Sequence, residues 1–418
     1  MKIFKFGGAS IKDAEGVKNL VKVVEQNGND NTLVVISAMG KMTNAFEALI
    51  DAYFYKQDTF EAKRNHVESF HRNMMDELFE KENEIYLQVD TLFEELDWFL
   101  NRNTSQRYNY VYDQIICFGE LLSTRIVSAY LKTVQIENNW LDVRNYIKTD
   151  SNYRDAKVNW TLTQQIITNK VATNQLNVTQ GFLAGNDTEN TTTLGREGSD
   201  YTAGIFAYCL NAESVTIWKD VPGVLNADPR VFDETTLLSQ ISYEEAIEMA
   251  FYGASVIHPK TIQPLQNKEI PLFVKSFLNP TAPGTMVSKG ATLIPYIPCF
   301  IVKKNQVFVS ISTNDFSFMV ENNLSYIFKK LHDYKLKVNL IQNSAISFSV
   351  CVDNKFGNFD AFFTALKHEF KIEFQKEVDV YTIRHFNTTS KDAITKLGRT
   401  LLSQTNKETI QIVLKKKE

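Results

Sequence analysis

Met1-Lys2-Ile3-Phe4-Lys5-Phe6-Gly7-Gly8-Ala9-Ser10 opens the chain, and its reading decides the fold. Ile3, Phe4 and Phe6 make a short strand, and two glycines turn it into a helix over 14–26. Such a junction aims backbone N–H groups at an anion. Glycine leaves no Cβ between the main chain and a phosphate, and Lys5 adds a point charge at the strand end. The stretch is neither a Walker A loop nor a GxGxxG fingerprint. Alone it reads equally well as an ordinary turn, so its meaning depends on its companions.

The first companion is Ser37-Ala38-Met39-Gly40, with Thr43-Asn44 just beyond, at the end of the apolar strand Leu33-Val34-Val35-Ile36. Strand and helix alternate, the grammar of a parallel α/β sheet, and two glycine-bearing loops at the carboxyl ends of neighbouring strands fit the ligand crevice of such a sheet. Residues 42–132 read as nearly pure helix. Phe46, Leu49, Ile50, Tyr53 and Phe54 share one face, Val67, Phe70, Met74 and Leu78 another, and Ile85, Val89, Leu92, Phe93 and Leu96 a third. These stripes read as core. Strands resume over 178–182, 215–218 and 272–274.

Three further segments carry chemistry. Thr191-Thr192-Thr193-Leu194-Gly195-Arg196-Glu197-Gly198-Ser199-Asp200 precedes an apolar helix over 203–210. Ser199 or Asp200 as a helix N-cap is the plain alternative, but it leaves Arg196 between glycines unexplained. A guanidinium there can fork a carboxylate. In the loop from Trp218 to Arg230, Lys219 and Arg230 can hold phosphates, or they can lie on an ordinary surface loop. Glu120, after Gly119 and between apolar pairs, is a carboxylate that must be solvated, paired or functional. His258, beside Pro259, reads as a packed or capping histidine. The six histidines are scattered and form neither a metal cluster nor a Ser-His-Asp arrangement.

At 418 residues the chain holds two to four domains. Hydrophobic residues at 44% and charged residues at 22% exclude wholesale disorder and a disulfide scaffold. A net charge of −4 gives no basic balance for nucleic acid. Cys117, Cys209, Cys299 and Cys351 form no CxxC pair and read as buried thiols of a reducing compartment. No signal peptide is read at the N-terminus, and no apolar run approaches the roughly 20 residues of a membrane span. A cytoplasmic protein without membrane or nucleic-acid partners is expected.

All 9 prolines fall between Pro222 and Pro298, and their density makes the end of that interval a linker. The expected domains are 1–282, a linker over 283–298, and 299–418. The last region reads β-α-β-β-α-β: strand 307–312, helix 324–331, strands 338–341 and 346–352, helix 362–370 and strand 372–377. A shortened copy follows, with strand 378–383, helix 390–397 and strands 401–404 and 409–414. Paired units of this kind suggest ligand sensing.

Together, Lys5–Ser10, Ser37–Asn44, 118–124, 181–185, 191–203, 218–230 and 253–259, in that order, resemble the aspartokinases of the amino acid kinase family. The resemblance implies an amino acid kinase fold, a parallel-rich sheet sandwiched by helices, followed by ferredoxin-like ACT units, the second shortened. It implies an ATP-dependent phosphotransferase that phosphorylates the side-chain carboxylate of L-aspartate, giving 4-phosphoaspartate on the route to lysine, threonine and methionine. Lys5 and Asp200 would be catalytic. Ser37, Thr43, Glu120, Arg196 and Ser199 would bind aspartate, with Glu120 on its amino group and Arg196 on its α-carboxylate. Gly7, Gly8, Ser10, Lys219, Asp220, Leu225, Arg230 and Ser255 would line the nucleotide site. Mg²⁺ would be held mainly by ATP oxygens and by no set of protein side chains. A homodimer through the ACT units is implied, with a possible amino-acid effector near Asn339 and Ala345.

The chain departs from the family at several of these positions. Ala9 and Lys219 stand where threonine is usual, Glu197 where glycine is, Leu225 where tyrosine is and Ser255 where lysine is. Lys219 is expected to replace the charge lost at Ser255. Asn339 replaces a usual Asp and Ala345 a frequent Glu, so weak or absent inhibition by lysine or threonine is expected. Two other readings compete: a non-catalytic amino-acid sensor that binds nucleotide, and a kinase for glutamate or a nucleoside monophosphate.

Overall fold

The computed structural model describes residues 1–27, 31–254, 257–315 and 317–416. They form two compact units. The first comprises Met1–Val224, Leu237–Ile247 and Val256–Leu293. The second comprises Leu225–Thr236, Glu248–Ser255 and Ile294–Glu418.

In the first unit, β1 (Lys2–Phe6) leads through a 3-10 turn (Gly8–Ile11) into α1 (Ala14–Asn27), and β2 (Thr32–Ile36) follows. Four helices come next: α2 (Met42–Phe54), α3 (Phe60–Leu78), α4 (Ile85–Arg102) and α5 (Tyr108–Thr133). The remaining strands are β3 (Asn139–Leu141), β4 (Asn177–Gln180), β5 (Leu183–Gly185), β6 (Thr191–Thr193), β7 (Ser214–Lys219), β8 (Gln240–Ser242), β9 (Leu272–Ser276) and β10 (Thr285–Ser288). Between them lie α6 (Trp160–Lys170), α7 (Gly198–Leu210), α8 (Tyr243–Tyr252), whose residues from Glu248 on belong to the second unit, and α9 (Pro259–Asn267).

Eight strands form one sheet in the order β3-β4-β2-β1-β7-β9-β10-β8. Every pairing is parallel except β9 with β10. Ile3, Phe4 and Phe6 of β1 and Leu33 to Ile36 of β2 are buried, as strands covered on both faces must be. Helix α7 packs on β1, β2 and β7, and α5 on β2, β3 and β4. The chain leaves β1 toward β2 on one side and returns as β7 on the other. The strand order therefore reverses at β1, where the crevice of an open sheet lies.

Helix α5 is buried all round from Ile115 to Thr124, the pattern of a helix enclosed by other elements. Gly119 makes this possible: a Cβ there would lie 3.2 Å from the Ala38 Cβ and 3.3 Å from the Phe46 ring. The expected stripes at Phe46, Leu49 and Ile50, at Val67 and Met74, and at Val89, Phe93 and Leu96 are core.

The second unit is one antiparallel sheet in the order β12-β13-β11-β14-β16-β15. Its elements are β11 (Cys299–Thr313), α10 (Glu321–Asp333), β12 (Lys337–Asn343), β13 (Ser347–Asp353), α11 (Phe359–Leu366), β14 (Phe370–Arg384), α12 (Thr388–Thr395), β15 (Gly398–Thr405) and β16 (Thr409–Lys416). Val309, Ile311, Ile327, Phe348, Val350 and Phe362 fill one half, and Tyr381, Ile383, Ile394, Ile410 and Ile412 the other.

Three expectations are corrected here. Residues 372–377 and 378–383 are not strands of separate copies but one strand, β14, running alongside an equally long β11. The apparent break at Glu377 is a bulge, with Glu377 (φ +56°) and Asn305 (φ +57°) left-handed. Phe370 begins β14 rather than ending a helix, because α11 stops at Leu366. Thr285–Ser288, expected in the linker over 283–298, is β10 of the first sheet, bonded between β8 and β9.

Cys117, Cys209, Cys299 and Cys351 are all buried. Burial pushes the Cys117, Cys209 and Cys351 thiols up to about 12. No described helix is long and apolar enough to cross a membrane.

Candidate active site

Parallel register brings the ends of four strands level. Phe6 pairs with Ile36 on one side and Trp218 on the other, and Ile36 pairs with Gln180. The segments after β1, β2, β4 and β7 therefore open on the same edge. These are Gly7-Gly8, Ser37-Ala38, Gly181 and Asp220.

Gly8 is required by close approach. A Cβ there would sit 2.6 Å from the Gly40 carbonyl oxygen and 2.7 Å from that of Ala38. Its absence lets the two loops join through Gly40 N–H to Gly8 O at 3.0 Å. At Gly7 a Cβ would lie 3.2 Å from the Lys5 ammonium and crowd it. Ser10 is buried and its hydroxyl donates to Trp218 O at 3.3 Å, joining the first loop to β7.

Lys5 Nζ lies 2.7 Å from Asp200 Oδ1, with side chains 12% and 6% exposed, so solvent screens the pair little. Burial by itself would raise the Asp200 pKa. The nearby Lys5 and Lys219 cations outweigh it and hold the carboxylate below its ordinary range. Asp200 also stands in the first turn of α7, where the helix dipole favours an anion. Ser199, its neighbour, packs so closely on Gly181 that a Cβ there would lie 2.5 Å from the Ser199 Cβ. Neither Ser199 nor Asp200 is the N-cap, contrary to that alternative. The cap is Glu197, at φ +54° and ψ +29°. A non-glycine residue held in that conformation costs about 1–2 kcal/mol, so the turn between Arg196 and α7 is strained. Arg196 is exposed beside it.

Glu120 faces Ala38 from α5. Its Oε1 accepts the Ala38 N–H at 3.4 Å, and its buried Oε2 has no hydrogen-bond partner among the described residues. Burial pushes the carboxyl up to about 8. Next to it, the Ser123 hydroxyl donates to Ser37 O at 2.7 Å and fixes that loop against α5. Thr43 is half-buried in the first turn of α2.

The other expected residues fare differently. Lys219 ends β7, and Asp220 is exposed after it. Leu225 and Arg230 belong to the second unit. There Arg230 forks its own neighbour Asp228 at 2.9 and 2.7 Å and is 82% exposed. Ser255 lies outside the described residues. His258 caps α9 through Nδ1, which accepts the Lys260 N–H at 3.2 Å. No group of three or more His, Cys, Asp or Glu that could hold a metal occurs among the described residues.

One participant escaped sequence reasoning. Asp113 is fully buried and accepts the Thr193 N–H (2.9 Å), the Thr193 hydroxyl (2.8 Å) and the Arg154 N–H (3.0 Å). Burial pushes it up to about 6, those bonds holding it back. Its spacing of seven from Glu120, two turns along one face, was the available signal.

The chemistry of this edge is divided. Glycine loops and Lys5 suit phosphate oxygens, and a buried carboxyl with a bare oxygen suits an ammonium group. The model of the Amino acid kinase family matches residues 1–276. Lysine-sensitive aspartokinase 3 of Escherichia coli (strain K12) is 29% identical over 364 residues, 84% of this chain and 78% of that protein. A bifunctional aspartokinase/homoserine dehydrogenase of Daucus carota is 28% identical over 369 residues, 84% of this chain but 39% of that protein's length. In structure the chain is similar to E. coli aspartokinase III in complex with aspartate and ADP, with a TM-score of 0.80 at 24% identity, over 99% of this chain and 96% of that one. That likeness concerns the fold.

Proposed function

The chain belongs to the amino acid kinase family, and from that premise we propose that it is an aspartate kinase. It transfers the γ-phosphoryl group of ATP to the β-carboxylate of L-aspartate and releases 4-phospho-L-aspartate and ADP. The observation that carries an amino-acid acceptor is Glu120, a buried carboxyl with one bare oxygen on an otherwise apolar stretch of helix. A buried carboxylate is stable only when paired, and an ammonium group supplies the pair. Arg196 takes the α-carboxylate, with Ser37, Thr43 and Ser199 around the substrate.

Glycines 7 and 8 and Ser10 border the phosphates, and Lys219 and Asp220 serve the nucleotide. The β-carboxylate oxygen attacks the γ-phosphorus as the bond from that phosphorus to the β-phosphate oxygen breaks. The attacking carboxylate is already ionised at neutral pH, so no base is needed. Lys5 neutralises charge on the transferring group, and Asp200 orients its ammonium. Mg²⁺ fits this edge as an ion borne mainly by phosphate oxygens, since the buried Asp200 is the carboxylate nearest the Lys5 ammonium. When bound it would supply further charge neutralisation.

The reading extends to a cytoplasmic enzyme at the head of lysine, threonine and methionine synthesis. It also includes a homodimer through the second unit. There Ile341 (44% exposed) and Val320 (45%) lie at or near β12, whose outer edge has no strand partner among the described residues, an apolar surface of the kind that pairs with another chain.

An effector at Asn339 would meet an occupied amide. Lys303 Nζ donates to Asn339 Oδ1 at 2.8 Å and to Phe251 O at 3.3 Å, and Asn339 Nδ2 donates to Gln306 Oε1 at 2.6 Å. Ala345 is exposed, and its carbonyl accepts the Met319 N–H. Lysine and threonine are therefore expected not to inhibit below the millimolar range. An inhibition constant under 1 mM, abolished by substitution of Asn339, would show an effector displacing Lys303.

The function is tested by trapping the acyl phosphate with hydroxylamine in the presence of ATP and Mg²⁺. Aspartyl hydroxamate is expected with aspartate, none with glutamate, and little from Arg196→Ala. No hydroxamate from either acid despite ATP binding would leave a nucleotide-binding sensor.

A further inference from the structure

Binding one amino acid by both its ammonium and its α-carboxylate demands a fixed spacing between the groups that hold them. Here those groups, Glu120 and Arg196, sit on different elements. Glu120 is on a buried helix, and Arg196 is on an exposed loop whose backbone is strained at Glu197. Something must tie the loop to the helix. We propose that Asp113 is a positioning residue for aspartate binding, one that sets the Arg196 loop at a fixed distance from Glu120. The proposal rests on the reading of Glu120 and Arg196 given above.

The geometry is direct. Asp113 precedes Glu120 by two helical turns, about 10.5 Å along the same face. Its Oδ2 accepts the Thr193 N–H at 2.9 Å and the Arg154 N–H at 3.0 Å, and its Oδ1 accepts the Thr193 hydroxyl at 2.8 Å. Thr193 ends β6, three residues before Arg196. Arg154 belongs to the turn beneath Gly195, where a Cβ would lie 2.8 Å from Asp155 Oδ1 and 3.2 Å from Arg154 O. The same turn is bonded to β6 again through Ala156 N–H to Thr193 O at 2.9 Å. Above it, the Arg154 guanidinium lies 4.2 Å over the Tyr112 ring of α5. One carboxylate therefore gathers the strand leading into the Arg196 loop, the floor under that loop, and the helix carrying Glu120. Charge-assisted bonds to backbone N–H groups are among the stronger and more directional ones available.

An amide can reproduce this arrangement. In Asp113→Asn the side-chain oxygen takes both N–H groups and the NH2 donates to Thr193 Oγ1, whose hydroxyl can also accept. Alanine cannot. Asp113→Ala is expected to raise the KM for aspartate about 100-fold, the scale of a roughly 1 Å misplacement, with the KM for ATP changed less than about 2-fold. Asp113→Asn should restore most of the loss. In an Arg196→Ala background, Asp113→Ala should add little, because the loop then carries nothing to position.

Thr193→Val keeps the backbone bonds, removes one contact to Asp113, and serves where the alanine variant does not fold. It should raise the KM for aspartate several-fold, with thermal stability reported alongside. Equal increases for both substrates, full additivity with Arg196→Ala, or an asparagine variant as damaged as alanine would each overturn the proposal. Wild-type protein that forms no aspartyl hydroxamate would instead overturn the functional reading beneath it.

Discussion

Lys5→Ala is expected to lower kcat about 1,000-fold at saturating ATP and aspartate, the scale of losing a preorganised charge at a reacting oxyanion. Phosphoryl transfer leaves the protein little covalent work, so position and charge carry the rate. Lys5 is 2.7 Å from Asp200 and nearly out of solvent, and its ammonium does not reorganise as charge moves. Gly7 keeps its surroundings open. Arginine is not a substitute, because its planar fork is wider than an ammonium and a Cβ at Gly7 would already stand 3.2 Å from Nζ. Without Lys5 the buried Asp200 loses its nearest cation and its pKa rises. Single-turnover and steady-state rates check this. A kcat within about tenfold of wild type would remove Lys5 from the chemical step.

The second large effect is at Glu120. Glu120→Gln should lower kcat/KM for aspartate about 100-fold or more, because the bare oxygen that receives the ammonium becomes an amide, while the KM for ATP holds. The same variant has an opposite signature in stability. Burial raises the folded pKa of Glu120 to about 8, above that of the unfolded chain. The folded protein therefore holds a proton that the unfolded chain releases. That contribution is fully present below the unfolded value and is lost as pH rises through about 8. Wild-type melting temperature should fall relative to Glu120→Gln between about pH 5 and 8. Asp113, also raised, is common to both proteins and cancels. An ammonium held against Glu120 favours the ionised form, so aspartate affinity should weaken as pH falls over the same interval. Parallel melting curves for the two proteins would sink the assignment.

The parts of the fold legible in the sequence were those that local chemistry dictates. Gly7 and Gly8 after an apolar strand and the periodic stripes on α2 to α4 announce themselves. What stayed hidden depends on distant partners. Thr285–Ser288 sits among prolines and glycines, and only bonding to β8 and β9 makes it a strand. β11 and β14 are each one long strand because each stabilises the other across a bulge, and the charged residues near Glu377 imitate an end. At the site, Lys5, Glu120 and Asp200 were legible from residue type and place. Asp113 was not, because its partners Thr193 and Arg154 are remote in sequence. Arg230 was legible as a cation but not as one already paired with Asp228.

The four buried thiols have a use apart from packing. A thiol-specific reagent finds none of them until the structure around it opens, and thiolates are scarce at neutral pH where burial has raised the pKa to about 12. Cys117 and Cys209 belong to the first unit, Cys299 and Cys351 to the second. Labelling rates at the two pairs, followed by mass spectrometry, therefore act as separate clocks for the local breathing of each unit, read in the native protein without an added probe.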